Sequence, residues 1–102
     1  MPSHIIATVN EIGPGEMKGV IVADKKIVLF CHEDGTFSAL EDRCSHAEVN
    51  LSRGKFCNGE ITCPAHGARF DARTGKNLCM PAVVPVKSLP LEVQGNEIIV
   101  TF

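Results

Sequence analysis

The sequence predicts an all-β protein, a small antiparallel sandwich or barrel of short strands. Strand-like runs recur along its 102 residues, and turn signals such as Asp34-Gly35 and Asn58-Gly59 separate them. The composition, with 44% hydrophobic and 22% charged residues, is that of an ordinary globular domain. Because domains run from about 50 to 250 residues and no internal repeat is visible, we expect a single domain over residues 1–102.

Six of the predicted strands lie in the outer parts of the chain, residues 1–40 and 86–102, which form the expected base of the fold. In chain order they are Ile5–Val9, Met17–Ala23, Lys26–Cys31, Thr36–Leu40, Leu89–Val93 and Glu97–Phe102. A loop around Pro14 follows the first strand. Asp24-Lys25 and Gln94-Gly95-Asn96 are the expected turns of two hairpins.

The middle of the chain, residues 41–85, has a different character. It holds four of the five cysteines and two of the four histidines. Its predicted strands are brief, at Lys55–Cys57, Glu60–Thr62 and Arg69–Asp71, and few residues between Leu51 and Gly75 could pack a core of their own. Because hydrophobic burial would hold this part poorly, we expect a small subdomain organised around a bound metal cluster.

Charge, hydropathy and cysteine usage argue against several classes of protein. A net charge of −2 speaks against nucleic acid as the main partner, because phosphate binding requires a concentrated basic surface. The first residues lack the basic start and apolar run of a signal peptide, and the apolar run Ile27 to Cys31 is far too short to span a membrane. Five cysteines cannot all pair as disulfides. We therefore expect a soluble cytoplasmic protein whose cysteines serve metal or redox chemistry.

Two short segments carry the candidate metal ligands, Cys44-Ser45-His46 and Cys63-Pro64-Ala65-His66. Sixteen residues separate His46 from Cys63, enough for a hairpin that turns at Asn58-Gly59 and returns the second loop beside the first. Two Cys and two His could bind one zinc ion or a [2Fe–2S] cluster with both His on one iron. Zinc fingers usually group cysteines in one half and histidines in the other. The mixed halves found here favour a two-iron cluster clamped between two loops.

These segments resemble the signature of the Rieske proteins. The resemblance is carried by Cys44-Ser45-His46, Cys63-Pro64-Ala65-His66-Gly67, Ala68-Arg69-Phe70-Asp71, Thr74-Gly75 and the proline-containing stretch Met80-Pro81-Ala82 to Pro85. It covers nearly the whole chain and implies antiparallel sheets with a cluster-binding subdomain. It further implies that Cys44 and Cys63 bind the buried iron of one [2Fe–2S] cluster and that His46 and His66 bind the outer iron.

Departures from the signature indicate which branch of the family the chain resembles. Rieske subunits of cytochrome bc complexes carry a disulfide between the two loops, but Val49 and Ala65 stand at the matching positions here. Those subunits also place hydroxyl residues after the second loop, where this chain has Ala68 and Phe70, whose side chains donate no hydrogen bond. Fewer donors stabilise the reduced cluster less, so we expect a reduction potential near the low end of the Rieske range, about −150 mV.

We expect no membrane anchor, and we expect a chain of this length to be too short for the large subunit of a ring-hydroxylating oxygenase. What remains resembles the Rieske ferredoxins of bacterial dioxygenase systems in aromatic hydrocarbon catabolism. The resemblance implies an electron-transfer component, not an enzyme, that takes single electrons from a flavin-dependent ferredoxin reductase and delivers them to a terminal oxygenase. The alternatives are the small subunit of an assimilatory nitrite reductase, a cluster-bearing redox sensor or accessory subunit, and a zinc-binding interaction module.

An apolar patch at the tips of the ligand loops is the expected docking face. It comprises the two imidazoles and their neighbours, His46, His66, Pro64, Ala65, Met80 and Pro81. Weak electron-transfer encounters use small interfaces, which a patch of this size could supply. The acidic pair Glu41-Asp42 before the first loop could add a docking charge, but charge at a strand end is more often merely solvated, and we expect the latter.

The remaining cysteines and histidines are expected to lie outside the site. Cys31, Cys57 and Cys79 are expected to be structural, with Cys31 behaving as a small buried hydrophobe. His4 and His32 are placed at strand ends, so we expect both on the surface. The aromatic residues expected in the core are Phe30, Phe37 and Phe102, together with Phe70 beneath the second loop.

Overall fold

The computed structural model describes residues 2–43, 49–64, 67–78 and 85–102, and β-strands are the main regular structure in this part of the chain. The strands, in chain order, are β1 Ser3–Thr8, β2 Met17–Val22, β3 Lys25–Cys31, β4 Phe37–Glu41, β5 Lys55–Cys57, β6 Glu60–Thr62, β7 Arg69–Asp71, β8 Ser88–Leu89, β9 Leu91–Gln94 and β10 Glu97–Thr101. Two single-turn 3₁₀ helices cover Val9–Glu11 and Leu51–Arg53. Within the described residues, no helix is long and apolar enough to cross a membrane.

The strands form three antiparallel sheets, with the orders β1-β10-β9, β2-β3-β4-β8 and β5-β6-β7. The all-β antiparallel prediction is therefore confirmed, as are the predicted bounds of β5, β6 and β7. β8 pairs with β4, the strand that leads into the first ligand loop. The Glu41 N–H extends this pairing by donating to the Lys87 carbonyl at 3.0 Å. The strand that follows the middle region, β8, therefore lies beside β4, the strand that precedes it.

Local backbone chemistry explains two of the tight turns. Ala23 and Asp24, between β2 and β3, have φ values of +50° and +64°, and Asn58 and Gly59, between β5 and β6, have +53° and +77°. Two-residue turns of this left-handed kind match the twist of paired antiparallel strands. The turn predicted at Asn58-Gly59 is confirmed. The other turn lies one residue before the predicted position, because Lys25 already pairs with Val22 in the strand ladder.

The strand β3 is central to the fold, because both of its faces are covered. Its residues Ile27 to Cys31 are all buried, the pattern of a strand that lies between two layers. One face packs on the strands β10 and β1, through contacts that include Ile98 and Val100. The other face packs towards the middle sheet, in a cluster formed by Val28, Phe30, Leu40, Leu51, Ile61, Cys63, Ala68, Phe70, Ala72 and Val86. The candidate ligand Cys63 therefore belongs to the core.

The four phenylalanines predicted to be buried divide into two kinds. Phe30 and Phe70 are fully buried, as predicted. Phe37 and Phe102 are only half-buried and pack against the edges of smaller clusters, so their prediction as core residues is only partly right. Phe102 lies beyond the end of β10, where its ring stacks on His4 with the ring centroids 4.4 Å apart.

Candidate metal centre

The second ligand loop joins β6 to β7 and is closed by its own backbone. The Cys63 N–H donates to the Ala68 carbonyl at 2.7 Å, and the Gly67 N–H donates to the Cys63 carbonyl at 3.1 Å. Gly67 has φ +73°, a left-handed conformation that glycine adopts without strain. These contacts fix Cys63 directly after the end of β6.

Cys63 is only 1% exposed and lies among apolar side chains. Its cluster includes Ala68 and Phe70, which follow it in the chain, and Leu51 from the 3₁₀ helix after the first ligand loop. The prediction that Phe70 packs beneath the second loop is confirmed. A thiolate buried in such surroundings requires a compensating positive charge, which a metal centre supplies. The burial of Cys63 therefore fits metal ligation.

The first ligand loop is described at its two ends, where a carboxylate joins them. The Asp42 N–H donates to the Lys26 carbonyl of β3 at 2.9 Å, which anchors the start of the loop. At the other end, Ser52 lies in the 3₁₀ helix Leu51–Arg53. The Asp42 Oδ1 accepts the Ser52 N–H at 2.7 Å, and the Asp42 Oδ2 accepts the Ser52 hydroxyl at 2.6 Å. We call this pair of hydrogen bonds the Asp42–Ser52 clamp.

The acidic pair before the first loop does not behave as expected. Asp42 is 4% exposed, so the prediction of a solvated charge is wrong for this residue. The burial is tolerated because both carboxylate oxygens accept hydrogen bonds from Ser52. Glu41 is half-buried, and its Oε2 lies 2.6 Å from the Lys25 Nζ in an ion pair across the sheet.

The bases of the two ligand loops lie against each other. A Cβ atom placed on Gly54, just after the first loop, would lie 1.9 Å from the carbonyl oxygen of Thr62, the residue before Cys63. Leu51 and Cys63 belong to the same buried cluster. The structure therefore brings together the segment that ends the first loop and the segment that begins the second, as a cluster clamped between two loops requires.

Most of the predicted ligands lie outside the described residues. Those outside are Cys44, His46 and His66, together with Ala65, Met80, Pro81 and Cys79. Cys63 is buried and Pro64 exposed, so the second loop runs from the core to the surface within two residues. Among the residues that the structure describes, no three potential metal-ligating side chains come together. This is expected, because Cys63 is the only one of the four predicted ligands in that part of the chain.

A buried histidine ties β3 and β4 to the turn after β7. His32 is 4% exposed, so the prediction that it lies on the surface is wrong. Its Nε2 lies 2.7 Å from the Ser38 hydroxyl oxygen, and that hydroxyl donates to the Ala72 carbonyl at 2.7 Å. Because the single Ser38 proton is used on Ala72, we assign the donor role to the His32 Nε2–H. Burial lowers the pKa of His32, and the positive Arg73 lowers it further.

Hydrogen bonds at the surface also hold the turn after β7. The Asp71 Oδ1 accepts the Arg73 N–H at 2.7 Å and the Thr74 N–H at 3.2 Å. The Arg73 guanidinium reaches back to Asp34, with Nη2 3.2 Å from Oδ2 and 3.3 Å from Oδ1. The hydroxyl and the N–H of Thr36, with a smaller contribution from Arg73, lower the pKa of Asp34 to about 2. These contacts connect the chain after the second ligand loop to the β3–β4 turn.

The other described cysteines differ in their surroundings. Cys31 is 3% exposed, as predicted for a small buried side chain, and burial raises the pKa of its thiol. Cys57 is exposed at the end of β5. Neither residue lies in a group of metal-ligating side chains formed by described residues. Their expected structural role remains a prediction.

Comparison with known proteins identifies the family of the chain. The family model of the Rieske [2Fe-2S] domain matches residues 3–90. The chain is 40% identical over 102 residues to a 3-phenylpropionate/cinnamic acid dioxygenase ferredoxin subunit of Photorhabdus laumondii, covering 99% of this chain and 95% of that protein. Among solved structures it is similar to the ferredoxin of carbazole 1,9a-dioxygenase from Nocardioides aromaticivorans IC177, with a TM-score of 0.91 and 33% identity, over 98% of this chain and 97% of that one.

A further similar structure contains an electron-transfer complex. It is the complex of reduced oxygenase and oxidized ferredoxin in carbazole 1,9a-dioxygenase, one chain of which matches with a TM-score of 0.87 and 27% identity, over 96% of this chain and 91% of that one. The relatives are ferredoxin components, the electron-transfer parts of dioxygenase systems and not their catalytic oxygenases. A single zinc ion, which the ligand types alone left open, is not the group that this family carries. The chain belongs to the Rieske [2Fe–2S] domain family, and it is an electron carrier with one Rieske-type [2Fe–2S] cluster.

Proposed function

We propose that this chain carries single electrons from a flavin-dependent ferredoxin reductase to the terminal oxygenase of an aromatic ring-hydroxylating system. The observation that carries the proposal is the nearly full-length similarity to a dioxygenase ferredoxin subunit. The cluster, when bound, supplies a one-electron redox couple. In each round the reductase loses one electron and the oxygenase gains one, so two rounds discharge a two-electron flavin.

The proposed ligands are Cys44 and Cys63 for the inner iron and His46 and His66 for the outer iron. The burial of Cys63 supports its place on the inner side. His66 stands between Pro64 and Gly67, and both of these neighbours are exposed, which supports a position of this imidazole near the surface. An imidazole near the surface would shorten the path by which an electron reaches a partner.

The surroundings of the second loop support a low reduction potential. Ala68 and Phe70 are fully buried next to Cys63 in the core cluster, and neither side chain can donate a hydrogen bond. Hydrogen bonds to the sulfur atoms raise the potential by stabilising the more negative, reduced cluster. We therefore propose a potential near the low end of the Rieske range, about −150 mV.

The proposed docking face is the tip of the ligand loops, formed by His46, His66, Pro64, Ala65, Met80 and Pro81. The exposure of Pro64 supports this assignment. Leu78 adds apolar surface beside the second loop: it is 41% exposed, and its N–H donates to the Arg69 carbonyl at 2.8 Å. An apolar tip of this kind suits the small, short-lived interfaces of electron-transfer partners.

The proposed location is the cytoplasm. Five cysteines cannot all pair as disulfides, and Cys31 and Cys57 are both thiols in the structure. The cytosol keeps such thiols reduced, whereas secreted proteins of this size usually carry disulfides. A reductase and an oxygenase that exchange electrons with this chain would share that compartment.

Electron paramagnetic resonance of the reduced protein tests the cluster and its ligands. Protein made with iron available should contain two irons per chain and give a Rieske-type spectrum. His46→Cys and His66→Cys should abolish that spectrum, because each removes an imidazole from the outer iron. His4→Cys, at a histidine outside the motif, is the matched control and should retain it. One zinc ion per chain, or intact Rieske spectra in both ligand variants, would contradict the assignment.

Reconstitution with purified reductase and oxygenase, identified from neighbouring genes, tests the proposed partners and the docking face. The reductase should reduce the wild-type chain, and the oxygenase should oxidise it again. Pro64→Asp should slow reoxidation by about tenfold, equivalent to about 1.4 kcal/mol, with an unchanged spectrum. Pro90→Asp, at an exposed proline between β8 and β9, is the control. Equal rates for both variants would place the docking face elsewhere.

A further inference from the structure

The Asp42–Ser52 clamp holds the first ligand loop at its base, outside the proposed ligands themselves. It joins two residues that are ten positions apart and that bracket the first ligand loop. Both Asp42 oxygens take part, and both bonds are short. A carboxylate that accepts two hydrogen bonds from one residue restrains that residue in orientation as well as in distance.

Each end of the clamp is anchored independently of the loop. Asp42 is anchored by its N–H to the Lys26 carbonyl of β3. Ser52 is anchored by its neighbour Leu51, which is fully buried in the core cluster that contains Cys63. The 3₁₀ helix itself is closed by the Gly54 N–H, which donates to the Leu51 carbonyl at 2.9 Å. The clamp therefore joins two anchored parts of the fold and sets the distance between the two ends of the first ligand loop.

A glycine on the neighbouring strand leaves room for the clamp. A Cβ atom on Gly19 of β2 would lie 2.9 Å from the Ser52 Oγ and 3.2 Å from the Asp42 Oδ2. Both distances are shorter than ordinary van der Waals contact, and both oxygen atoms are held by the hydrogen bonds of the clamp. Gly19 therefore lets β2 cover the carboxylate closely, which explains why Asp42 is only 4% exposed.

We propose that Asp42 is a positioning residue for the cluster, because its carboxylate sets the span of the first ligand loop. The inference rests on the proposed assignment of Cys44 and His46 as ligands, which lie two and four residues after Asp42. Contacts outside the ligand shell hold the ligands in place, and their loss commonly weakens metal binding by about tenfold or more. Without the clamp the two ends of the first ligand loop are no longer joined. Holding that loop around the metal then costs more conformational entropy, so the ligands leave the metal more readily.

Variants of Asp42 separate the effect of its hydrogen bonds from the effect of its negative charge. In Asp42→Asn the amide oxygen can accept the Ser52 N–H while the amide NH₂ donates to the Ser52 hydroxyl, whose own proton can rotate away. This variant keeps two contacts without the negative charge. Asp42→Ala removes both contacts, and Ser52→Ala removes only the hydroxyl contact. Gly19→Ala disturbs the clamp from outside without changing either of its partners.

The experiment measures the rate of cluster loss from purified, cluster-loaded protein in excess chelator, followed by visible absorption. Asp42→Ala should lose the cluster on the order of ten times faster than wild type. Ser52→Ala and Gly19→Ala should show smaller increases, and Asp42→Asn should stay close to wild type. The paramagnetic resonance spectrum of Asp42→Ala should broaden, since less restrained ligands adopt a range of positions.

Glu11→Ala is the control, because the Glu11 carboxylate also accepts two hydrogen bonds but lies in the 3₁₀ helix Val9–Glu11, outside both ligand loops. Its Oε2 accepts the Thr8 N–H at 2.5 Å, and its Oε1 accepts from the Lys18 Nζ at 3.2 Å. This variant should lose the cluster at the wild-type rate. The proposal is overturned if Glu11→Ala and Asp42→Ala lose the cluster equally fast, or if Asp42→Asn is as fast as Asp42→Ala.

A second measurement keeps the clamp testable whatever the metal proves to be. Hydrogen–deuterium exchange of the same purified proteins reports on the peptide that contains Ser52, whose N–H is bonded to Asp42 in the clamp. Exchange of this peptide should be faster in Asp42→Ala than in wild type. Unchanged exchange would overturn the clamp itself. A wild-type spectrum that is not of the Rieske type, combined with faster exchange in Asp42→Ala, would instead contradict the proposed ligands alone.

Discussion

The two ligand loops are closed in different ways. The second loop is short, and backbone groups of Cys63, Gly67 and Ala68 close it. The first loop lies between Asp42 and Ser52, which are ten positions apart, and is joined at its base by a side chain. Backbone hydrogen bonds survive most substitutions, whereas a side-chain clamp is lost with one residue. In this chain the longer loop therefore depends on one side chain, whereas the shorter loop depends on backbone groups.

The loops also use glycine for different physical reasons. Gly54, at the end of the first loop, has an ordinary φ of −88°, but its Cα lies against the Thr62 carbonyl. Gly67, in the second loop, has φ +73°, and no described atom comes within 4 Å of the position of a Cβ. The same substitution, glycine to alanine, therefore tests crowding in one loop and backbone conformation in the other.

The largest expected effect is that of Gly54→Ala. The added methyl group would lie 1.9 Å from the Thr62 oxygen, so the bases of the two loops must move apart. We expect a loss of unfolding free energy of about 3 kcal/mol, the upper part of the usual range for overpacking, and a lower cluster content. Denaturant unfolding and iron analysis measure the two quantities. Wild-type values for both would show that the loop bases are not in contact.

Gly67→Ala should cost less, because only the left-handed conformation is penalised. We expect a loss of about 1–2 kcal/mol, the usual cost of placing a non-glycine residue in this region. The cluster content should remain near that of wild type in fully folded protein. A larger loss than for Gly54→Ala, measured by the same denaturant method, would reverse the comparison between the loops.

Ala68→Ser should change the potential more than the stability. The substitution offers a hydroxyl donor at a fully buried position in the cluster of side chains that contains Cys63. A new hydrogen bond of about 1.4 kcal/mol to the reduced state corresponds to a rise of about 60 mV for a one-electron couple. Redox titration measures the shift, and Ala39→Ser, a buried alanine in β4, is the control. A fall in potential would contradict the argument.

The smallest expected effect is a loss of stability in mild acid, caused by His32. Burial and Arg73 lower the pKa of His32, while Asp34 and Asp71 oppose the shift, so the folded state resists protonation. The unfolded state binds a proton below about pH 6.5. Stability is therefore full above that pH and falls as the pH drops towards the lowered folded pKa, by at most about 1.4 kcal/mol per pH unit.

His32→Gln is the variant that isolates this contribution, since its amide can still donate to Ser38. Thermal unfolding of both proteins at pH 7.5 and pH 5.5 should show a smaller acid-induced decrease in the variant. Equal decreases would mean that His32 is not protonated in this range. His32 restrains the turn after β7 through Ser38 and Ala72. The result therefore measures how much stability this contact gives to the part of the chain that follows the second ligand loop.

The sequence could predict those residues whose role depends on neighbours that are close in the chain. The strands β5, β6 and β7 were predictable because turn residues flank them and each has one large hydrophobic residue at its centre, Phe56, Ile61 and Phe70. The family followed from two ligand segments of fixed internal spacing. The roles of Asp42 and His32 were not predictable, because their partners are ten and six positions away and one further contact, from Ser38 to Ala72, spans 34 positions.

The sequence by itself determined the all-β class, the Rieske family and the identity of the electron-carrying group, since turn types and ligand spacing are properties of short segments. Only the tertiary structure decided which polar residues are buried and what they hold. Asp42 stands between Glu41 and Arg43, and His32 is followed by Glu33 and Asp34, so charged neighbours suggest exposure, yet the tertiary packing removes both from water. Buried polar groups must find partners, and those partners are chosen by the fold.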